Sequence, residues 1–500
     1  MEANCLQFLE NKTILVTGAS GFLAKVLVER ILRLQPNVKK LYLLVRASDK
    51  KSAERRLHCE VFKKELFRVL RKNLGDEGLN ALISEKVVPV PGDISLKDIG
   101  VHDANLLQDM MQDIDIIINS AATTRFDERL HKYDVALGIN TFGAINVLNF
   151  AKKCVKPKLL LHVSTAYVCG ERSGHILEKP FAMGETLKGK NKVDINTEMR
   201  LAEQKLKRLI EQGCSKEQTE QAMKDFALKR AKLYGWPNTY VFTKAMGEML
   251  LGHYRGSMPI VIIRPTIITS TISNPFPGWI EGLKTVDSVI ISYGKGMLRC
   301  FLVDQKTVCD IKCIYIYNKI PADMVVNAMI AAAAEHFRDS GSHTIYHVGS
   351  SNQNPVIYKK IYEMMIRYFV ESPLVGRNGM LIVPNLTTKS TMARFRVYTN
   401  LRYKLPIQIL GLLSTILPSQ RDTYEHHNRK FKMAMRMVKL YKPYVIFKGI
   451  FDDKNLETLR IKNEAKETEK LFGTNPKCID WEDYFMNTHI HGLMTHVFKK

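Results

Sequence analysis

The chain has 500 residues, 45% hydrophobic and 25% charged, enough to bury a large core shared by two domains. Its 74 lysines and arginines exceed its 50 acids and leave a formal charge of +24, which suits a polyanionic ligand or an anionic surface. The basic residues are not interleaved with aromatics on a recognisable module, so nucleic acid is not an expected partner. The nine cysteines are odd in number and scattered, with Cys309 and Cys313 the closest pair, a pattern of free thiols.

The opening MEANCLQFLENK is neither apolar enough for a signal peptide nor rich in Arg and Ser like a transit peptide, so no targeting segment is expected. Thr13–Thr17 (TILVT) reads as a buried strand and Gly21–Leu34 as the helix after it. The turn between them, TGASGFLA at Thr17–Ala24, has the residues of a pyrophosphate-binding loop. Gly18 permits the tight turn, Gly21 permits close backbone approach, and Ala24 is small enough for helix–strand packing. Lys40–Val45 (KLYLLV) is the second strand. Arg46 follows it where a dinucleotide-binding unit for NAD places an acid, and Lys50 and Lys51 come next. NADPH, with its 2′-phosphate, is therefore the expected cofactor, the other reading being a solvated basic loop.

Strands continue at Val87–Val90, Ile114–Asn119 and Leu159–Ser164, and Pro259–Thr266 returns to the sheet after a Lys- and Glu-rich helical stretch at Arg172–Tyr234. Apolar strands alternating with helices mean a doubly wound, Rossmann-type parallel sheet covered on both faces, an α/β fold. HVSTAYV at His162–Val168 puts the hydroxyls of Ser164 and Thr165 at the end of a buried strand. YVFTK at Tyr240–Lys244 puts a phenol and an ammonium one helical turn apart. A free phenol titrates near 10, and a neighbouring ammonium favours the phenolate, so Tyr240 and Lys244 form an acid–base pair with Thr165 and Ser164 as oxyanion-type donors. His426 and His427 read as surface positions on a helix, and no metal site is expected. Phe276 and Trp279 in PFPGWIEG are open to two readings, acyl-chain contact or packing.

These strings resemble the extended short-chain dehydrogenase/reductase superfamily. GD at Gly92–Asp93, DIIINSAA at Asp115–Ala122, Asn140 in GINTFGAINV and RPT at Arg264–Thr266 extend the likeness. More narrowly, NSAATTRFDER, HVSTAYVCGE, YGWPNTYVFTKAMGE, PFPGWIEG and WEDYF resemble the plant alcohol-forming fatty acyl-CoA reductases, with their C-terminal male-sterility domain. The resemblance implies two-step reduction of a long-chain acyl-CoA to a primary alcohol with two NADPH, for wax or suberin-type lipids, at the cytosolic face of the endoplasmic reticulum. It implies a cofactor seat at Thr17, Gly18, Ser20, Gly21, Phe22, Leu23, Arg46, Asp93, Ala121, Asn140, Lys244 and Pro265. It also implies a reductase domain over 1–380, with a helical insert near 172–234, and a helical domain over 381–500. Rival readings are a reductase or epimerase of a sugar nucleotide or sterol, and a lipid-binding scaffold.

Two strings depart from the family pattern, Leu130–Lys132 and Lys312–Lys319. They read either as tolerated surface insertions or as a cause of weakened activity. Lys389–Lys448 carries 13 basic residues against two acids, Asp422 and Glu425, around the apolar run Leu405–Leu417. That run is too short and too interrupted to span a bilayer, which leaves a buried helix or one lying in an interface. Peripheral or monotopic membrane contact is the expectation; the oligomeric state is left open.

Overall fold

The computed structural model describes residues 5–124, 133–189, 191–283, 285–297, 300–302, 319–337, 339, 341–376, 379–382, 387–389, 392–445, 447–464 and 472–498. Seven strands form its main sheet: β1 (Thr13–Thr17), β2 (Lys40–Val45), β3 (Val87–Pro91), β4 (Ile116–Asn119), β5 (Leu159–Val163), β6 (Ile260–Pro265) and β7 (His343–Val348). All pair in parallel, in the spatial order β7-β6-β5-β4-β1-β2-β3. Leu15 lies between Tyr42 and Ile117, and Leu161 between Ile118 and Val261. The chain leaves β1 in one direction and returns at β4 in the other, so the ends of β1 and β4 flank the crevice where such sheets bind ligands.

Every residue of β1, β5 and β6 is buried. The two-residue period of the strands divides them between two cores. Ile14, Val16, Leu161 and Ile263 pack with helices α1 (Phe22–Leu34) and, later in the chain, Ala322–His336. Leu15, Leu160 and Ile262 pack on the opposite face with α2 (Gly143–Lys153). Burial on both faces is why these strands are continuous in Ile, Leu and Val rather than alternating with polar residues.

The insert forms helices α3 (Ile195–Glu211) and α4 (Lys216–Tyr234). Asp194 caps α3 through the Thr197 N–H. Ser215 and Gln218 form a capping box on α4, and Gly235 ends it in a left-handed conformation at φ +101°. Although rich in charge, the pair is anchored by one buried carboxylate. Glu198 accepts from the Tyr133 hydroxyl at 2.8 Å and from Arg230 Nε at 2.9 Å. Helix α5 (Thr239–Tyr254) follows and lies almost wholly in the core. Helix α6 is Ala322–His336.

The last part of the chain joins the same body. Phe472, Ile479, Trp481, Tyr484, Phe485, Ile490 and Leu493 belong to the hydrophobic cluster that covers one face of the main sheet. Gly449–Phe451 pairs in parallel with Gly174–Ile176 of the insert. The Tyr484 hydroxyl lies 2.7 Å from both Thr269 Oγ1 and the Ser270 carbonyl. His489, fully buried, bridges Ser270 Oγ at 3.1 Å and Asp287 at 3.2 Å. A side chain on Gly492 would overlap the Gly278 carbonyl, so the C-terminal helices approach the PFPGWIEG loop as closely as backbone permits.

That loop resolves one open reading in favour of packing. Trp279 is buried and stacks on Phe22 with ring centroids 5.2 Å apart, and Phe276 lies under the Arg68 guanidinium at 3.5 Å. The buried Asp323 carboxylate fixes the chain ahead of it through the N–H groups of Ile272, Ser273 and Asn274, all at 2.8–2.9 Å.

Helix α7 (Leu405–Ile416) packs against the start of α8 (Arg421–Val445) away from this body, which α8 rejoins at Tyr444. None of α7 is buried: Leu412 is 70% exposed and Ile416 75%. Of the two placements open for Leu405–Leu417, the buried one is therefore set aside. The pair meets where Gly411 faces the Tyr424 ring, and a small cluster of Phe395 and Val438 supports its base. His426 and His427 are exposed on α8. Among the described residues no helix is long and apolar enough to cross a membrane. Leu130–Lys132 and Lys312–Asn318 lie outside the described residues. Lys319 is buried, with its ammonium 4.7 Å from the Phe485 ring.

Candidate active site

The glycine turn seats itself against β4. Gly18 has φ +67°, and a Cβ there would fall 2.6 Å from Ala121 Cα, so only glycine fits both the conformation and the space. Gly21 precedes α1 in extended conformation and offers no side-chain acceptor to its first turn. Phe22, Leu23 and Ala24 are buried beneath. The helix thus presents backbone N–H groups at the crevice, an arrangement suited to phosphate oxygens.

A row of polar groups crosses the strand ends below this turn. Thr17 Oγ1 donates to Asn119 Oδ1 at 2.7 Å, and the Ala121 N–H donates to Thr17 Oγ1 at 3.1 Å. Asn119 Nδ2 lies 3.1 Å from His162 Nδ1. His162 is fully buried, and desolvation, then the charge of Lys244, holds it neutral well below the usual imidazole range. Its Nε2 has no partner among the described residues.

At the end of β2, Arg46 is exposed and its carbonyl accepts from Arg56 Nη1 at 2.8 Å. Arg56 Nη2 reaches Ser20 Oγ at 3.3 Å, so one guanidinium links the second strand to the glycine turn. Nothing singles Arg56 out in the sequence. It arrives through the short helix Lys50–Leu57, whose start is fixed by Asp49 accepting from the Ser52 N–H. Asp93, after β3, turns one carboxylate oxygen onto Ser95 N and Oγ at 2.9 and 2.8 Å.

Asn140 is buried between the chain leaving β4 and α5. Its amide accepts from the Thr123 N–H at 3.0 Å, donates to the Thr123 carbonyl at 3.2 Å and to Thr243 Oγ1 at 3.1 Å. Close approach of α5 makes this possible, since a side chain at Gly247 would strike the Asn140 carbonyl. Asn140 is thus a strut between the chain leaving β4 and α5.

Ser164 and Thr165 follow β5 directly. The Ser164 N–H donates to the Ile263 carbonyl at 2.7 Å, while its buried Oγ has no partner among the described residues. Thr165 Oγ1 accepts from the Tyr167 N–H at 3.3 Å and lies 3.5 Å from the Pro265 carbonyl at the end of β6. On α5, Tyr240 is half-buried and Lys244 buried, one turn apart. Lys244 Nζ donates to the Val163 carbonyl at 2.7 Å. Desolvation brings its ammonium down to about 8, partly offset by Glu248. Burial pushes the Tyr240 phenol above its usual range. The expected lowering by Lys244 is not what this arrangement gives, because desolvation outweighs attraction to an ammonium that is turned to a carbonyl.

Glu248, one turn beyond Lys244, holds the helix in place. It meets Arg264 of β6 through Nε at 3.1 and 3.2 Å and Nη2 at 2.5 Å, with both side chains buried. Its signal in the sequence is the same four-residue spacing that marks Tyr240 and Lys244. The tight glycine turn at Gly18, the unpartnered Ser164 Oγ and His162 Nε2, and the helix terminus at Gly21 together fit a nicotinamide dinucleotide laid across the strand ends.

Sheet order and site define a nicotinamide-dependent oxidoreductase of the extended short-chain dehydrogenase type. Residues 16–329 match an NAD-binding family described as male sterility protein, and residues 402–500 match the sterile family with the same description. The chain is 62% identical to fatty acyl-CoA reductase 1 of Arabidopsis thaliana over the full length of both chains. It is 48% identical to the alcohol-forming fatty acyl-CoA reductase of Simmondsia chinensis over 98% of each. Among solved structures, the reductase domain of a nonribosomal peptide synthetase from Mycobacterium tuberculosis superposes with a TM-score of 0.59 at 17% identity. That match covers 100% of this chain and 96% of the other, a likeness of fold. The chain belongs to the fatty acyl-CoA reductase family.

The Lys244 ammonium is depressed in the folded protein, so its charge is present below about pH 8 and lost as pH rises through that value. Carbonyl reduction should therefore decline above about pH 8. Lys244→Arg, which keeps its charge, should retain residual activity without that limb. A wild-type profile flat from pH 7 to 10 would count against the assignment.

Proposed function

We propose that this chain reduces a long-chain fatty acyl-CoA to a primary alcohol in two NADPH-dependent steps, for wax or suberin-type lipids. One observation carries the reading: the phenol of Tyr240 and the ammonium of Lys244 share one face of α5, which packs beside the Ser164 and Thr165 hydroxyls at the end of β5. The near full-length likeness to an alcohol-forming relative supports the choice of substrate. Bound NADPH would supply the hydride to the carbonyl carbon, held along Thr17–Leu23, with Arg46 and Asp93 at the adenosine end and Ala121, Lys244 and Pro265 toward the nicotinamide.

Ser164 and Thr165 orient the carbonyl oxygen, and Ser164 brings a buried hydroxyl not committed to another described residue. Tyr240 gives that oxygen its proton. Lys244 steadies the phenolate left behind, and its bond to the Val163 carbonyl fixes where that charge stands. In the first step the resulting thiohemiacetal loses its C–S bond. Tyr240 takes the hydroxyl proton back, and coenzyme A leaves as its thiolate to be protonated in water. The aldehyde then takes hydride from a second NADPH and a proton from Tyr240, which regains one from water, and the product leaves as the alcohol. Expression in yeast followed by lipid profiling should reveal new primary fatty alcohols, and Tyr240→Phe should abolish them while leaving NADPH affinity largely intact. Alcohols at equal yield from the Phe variant would overturn the mechanism, and no alcohols from the parent would overturn the substrate.

NADPH rather than NADH is supported by Arg46 and Arg56 at the end of β2. A guanidinium–phosphate contact contributes about 1.5–3 kcal/mol, which is about tenfold or more in affinity. Arg46→Glu should lose that much for NADPH and little for NADH. Equal losses for both would make Arg46 structural.

Membrane contact at the cytosolic face of the endoplasmic reticulum is supported by α7. It exposes Leu405, Ile409, Leu412 and Ile416 beside the basic Arg402, Lys404, Arg429 and Lys430. Such a surface suits the interface of an anionic bilayer, where each basic residue contributes about 1 kcal/mol. The full chain should bind anionic vesicles, more weakly in high salt, and Leu412→Asp with Ile416→Asp should release it. A parent chain that ignores such vesicles at low salt would exclude this contact.

A further inference from the structure

The two elements that carry the reacting groups meet in a residue outside the reductase fold. Asn238 caps α5 two residues before Tyr240, its Oδ1 accepting from the Val241 N–H at 3.1 Å. Its Nδ2 donates to the hydroxyl of Tyr444 at 3.0 Å. Both residues are buried, and they lie 206 positions apart in the chain. The Tyr444 ring stands edge-on to Tyr167, centroids 4.9 Å apart at 82°. Tyr167 is the residue whose N–H is held by Thr165 Oγ1. Phe447 and Phe451 close the remaining sides of Tyr167 at 5.4 and 5.5 Å. Tyr358 donates to the Tyr444 carbonyl at 3.4 Å and fixes the end of α8 from behind.

One side chain therefore touches both halves of the site, its hydroxyl on the cap of the helix bearing Tyr240 and Lys244, its ring on the turn that begins with Thr165. Apolar packing alone would fix the ring. The hydroxyl is a separate, directional constraint, since a buried amide donor left without a partner is costly and Asn238 must also keep its oxygen on Val241. The geometry points to Tyr444 as a positioning residue that sets the spacing between the Tyr240 phenol and the Ser164–Thr165 hydroxyls. The end of α8 thereby completes the reductase site. This rests on the reading of Tyr240 as proton donor, which the Tyr240→Phe experiment tests separately.

Errors of about 1 Å in such placement cost about 100-fold in rate, and loss of one supporting hydrogen bond should cost part of that. Tyr444→Phe keeps the ring against Tyr167 and removes only the hydroxyl. In the full-length enzyme it should lower kcat for aldehyde and acyl-CoA reduction about tenfold, with KM for NADPH and the thermal midpoint little changed. Asn238→Ser keeps a cap but is too short to reach Tyr444, so it should match that loss, and the double variant should add nothing further. Asn238→Asp, which caps α5 and accepts from the Tyr444 hydroxyl, should restore most of kcat. Hydrogen exchange should quicken over residues 238–244 in Tyr444→Phe and remain unchanged elsewhere in the sheet, a readout that does not depend on turnover. Wild-type kcat and exchange in Tyr444→Phe, additive losses in the double variant, or a fall in kcat matched by a general fall in stability would each overturn the proposal. Should Tyr444→Phe not fold, Asn238→Ser and Asn238→Asp decide it alone.

Discussion

A buried ion pair underlies the geometry of this site. Arg264 leaves β6 and Glu248 leaves α5, and their two-oxygen contact joins the helix that carries Tyr240 and Lys244 to the sheet that carries Ser164 and Thr165. Arg264 also donates to the Lys179 carbonyl at 3.1 Å, so the same guanidinium holds the start of the insert. Removing one member of such a pair strands a charge in the core and costs about 3–5 kcal/mol, whereas an apolar replacement of both is often neutral. The value of the pair is therefore geometric. It adds a directional tie between α5 and β6 to the apolar packing of Met246, Met249 and Leu250.

That placement has electrostatic consequences. Lys244 is carried into a region where its charge is costly, and the Val163 carbonyl and Glu248 are what keep an ammonium there at neutral pH. His162 beside it is held neutral by the same desolvation. The phenol of Tyr240 is raised, not lowered, by its burial, which keeps it protonated across the neutral range. That state suits the proton-donor role proposed for Tyr240, with the Lys244 ammonium one turn away.

Local chemistry was readable in the sequence, and distant pairing was not. The strands β1, β2, β4, β5 and β6 announce themselves by short runs dominated by Ile, Leu and Val. The turn at Gly18 and the pair Tyr240–Lys244 are set by spacing within a few residues. Glu248 shares that helical spacing but acquires meaning only through Arg264, sixteen residues on. Arg56 and Tyr444 carry no local signal, because what they touch, Ser20 and Asn238, is brought to them by the fold. Asn140 was legible by its motif, while its bonds to Thr123 and Thr243 were not, since no motif contains them. Phe276 and Trp279 were ambiguous for a simpler reason, since an aromatic loop looks alike whether it packs or binds.

The end of the chain serves two physical purposes that composition blends into one basic, helical stretch. The described residues from Gly449 onward join the body, contributing Phe451 beside Tyr167, and Tyr484, Phe485 and Leu493 to the core under the sheet. Helix α7 and the start of α8 do not. A helix of α7's length is marginal alone in water, and here it is held by Gly411 against Tyr424 and by the small cluster at Phe395 and Val438. So small a foundation cannot cover Leu412 and Ile416, and it leaves an apolar stripe among basic residues. Yet the last turn of α8 brings Tyr444 onto the cap of α5. Helix α8 thus begins beside the exposed α7 and ends, just past Pro443, at the cap of α5.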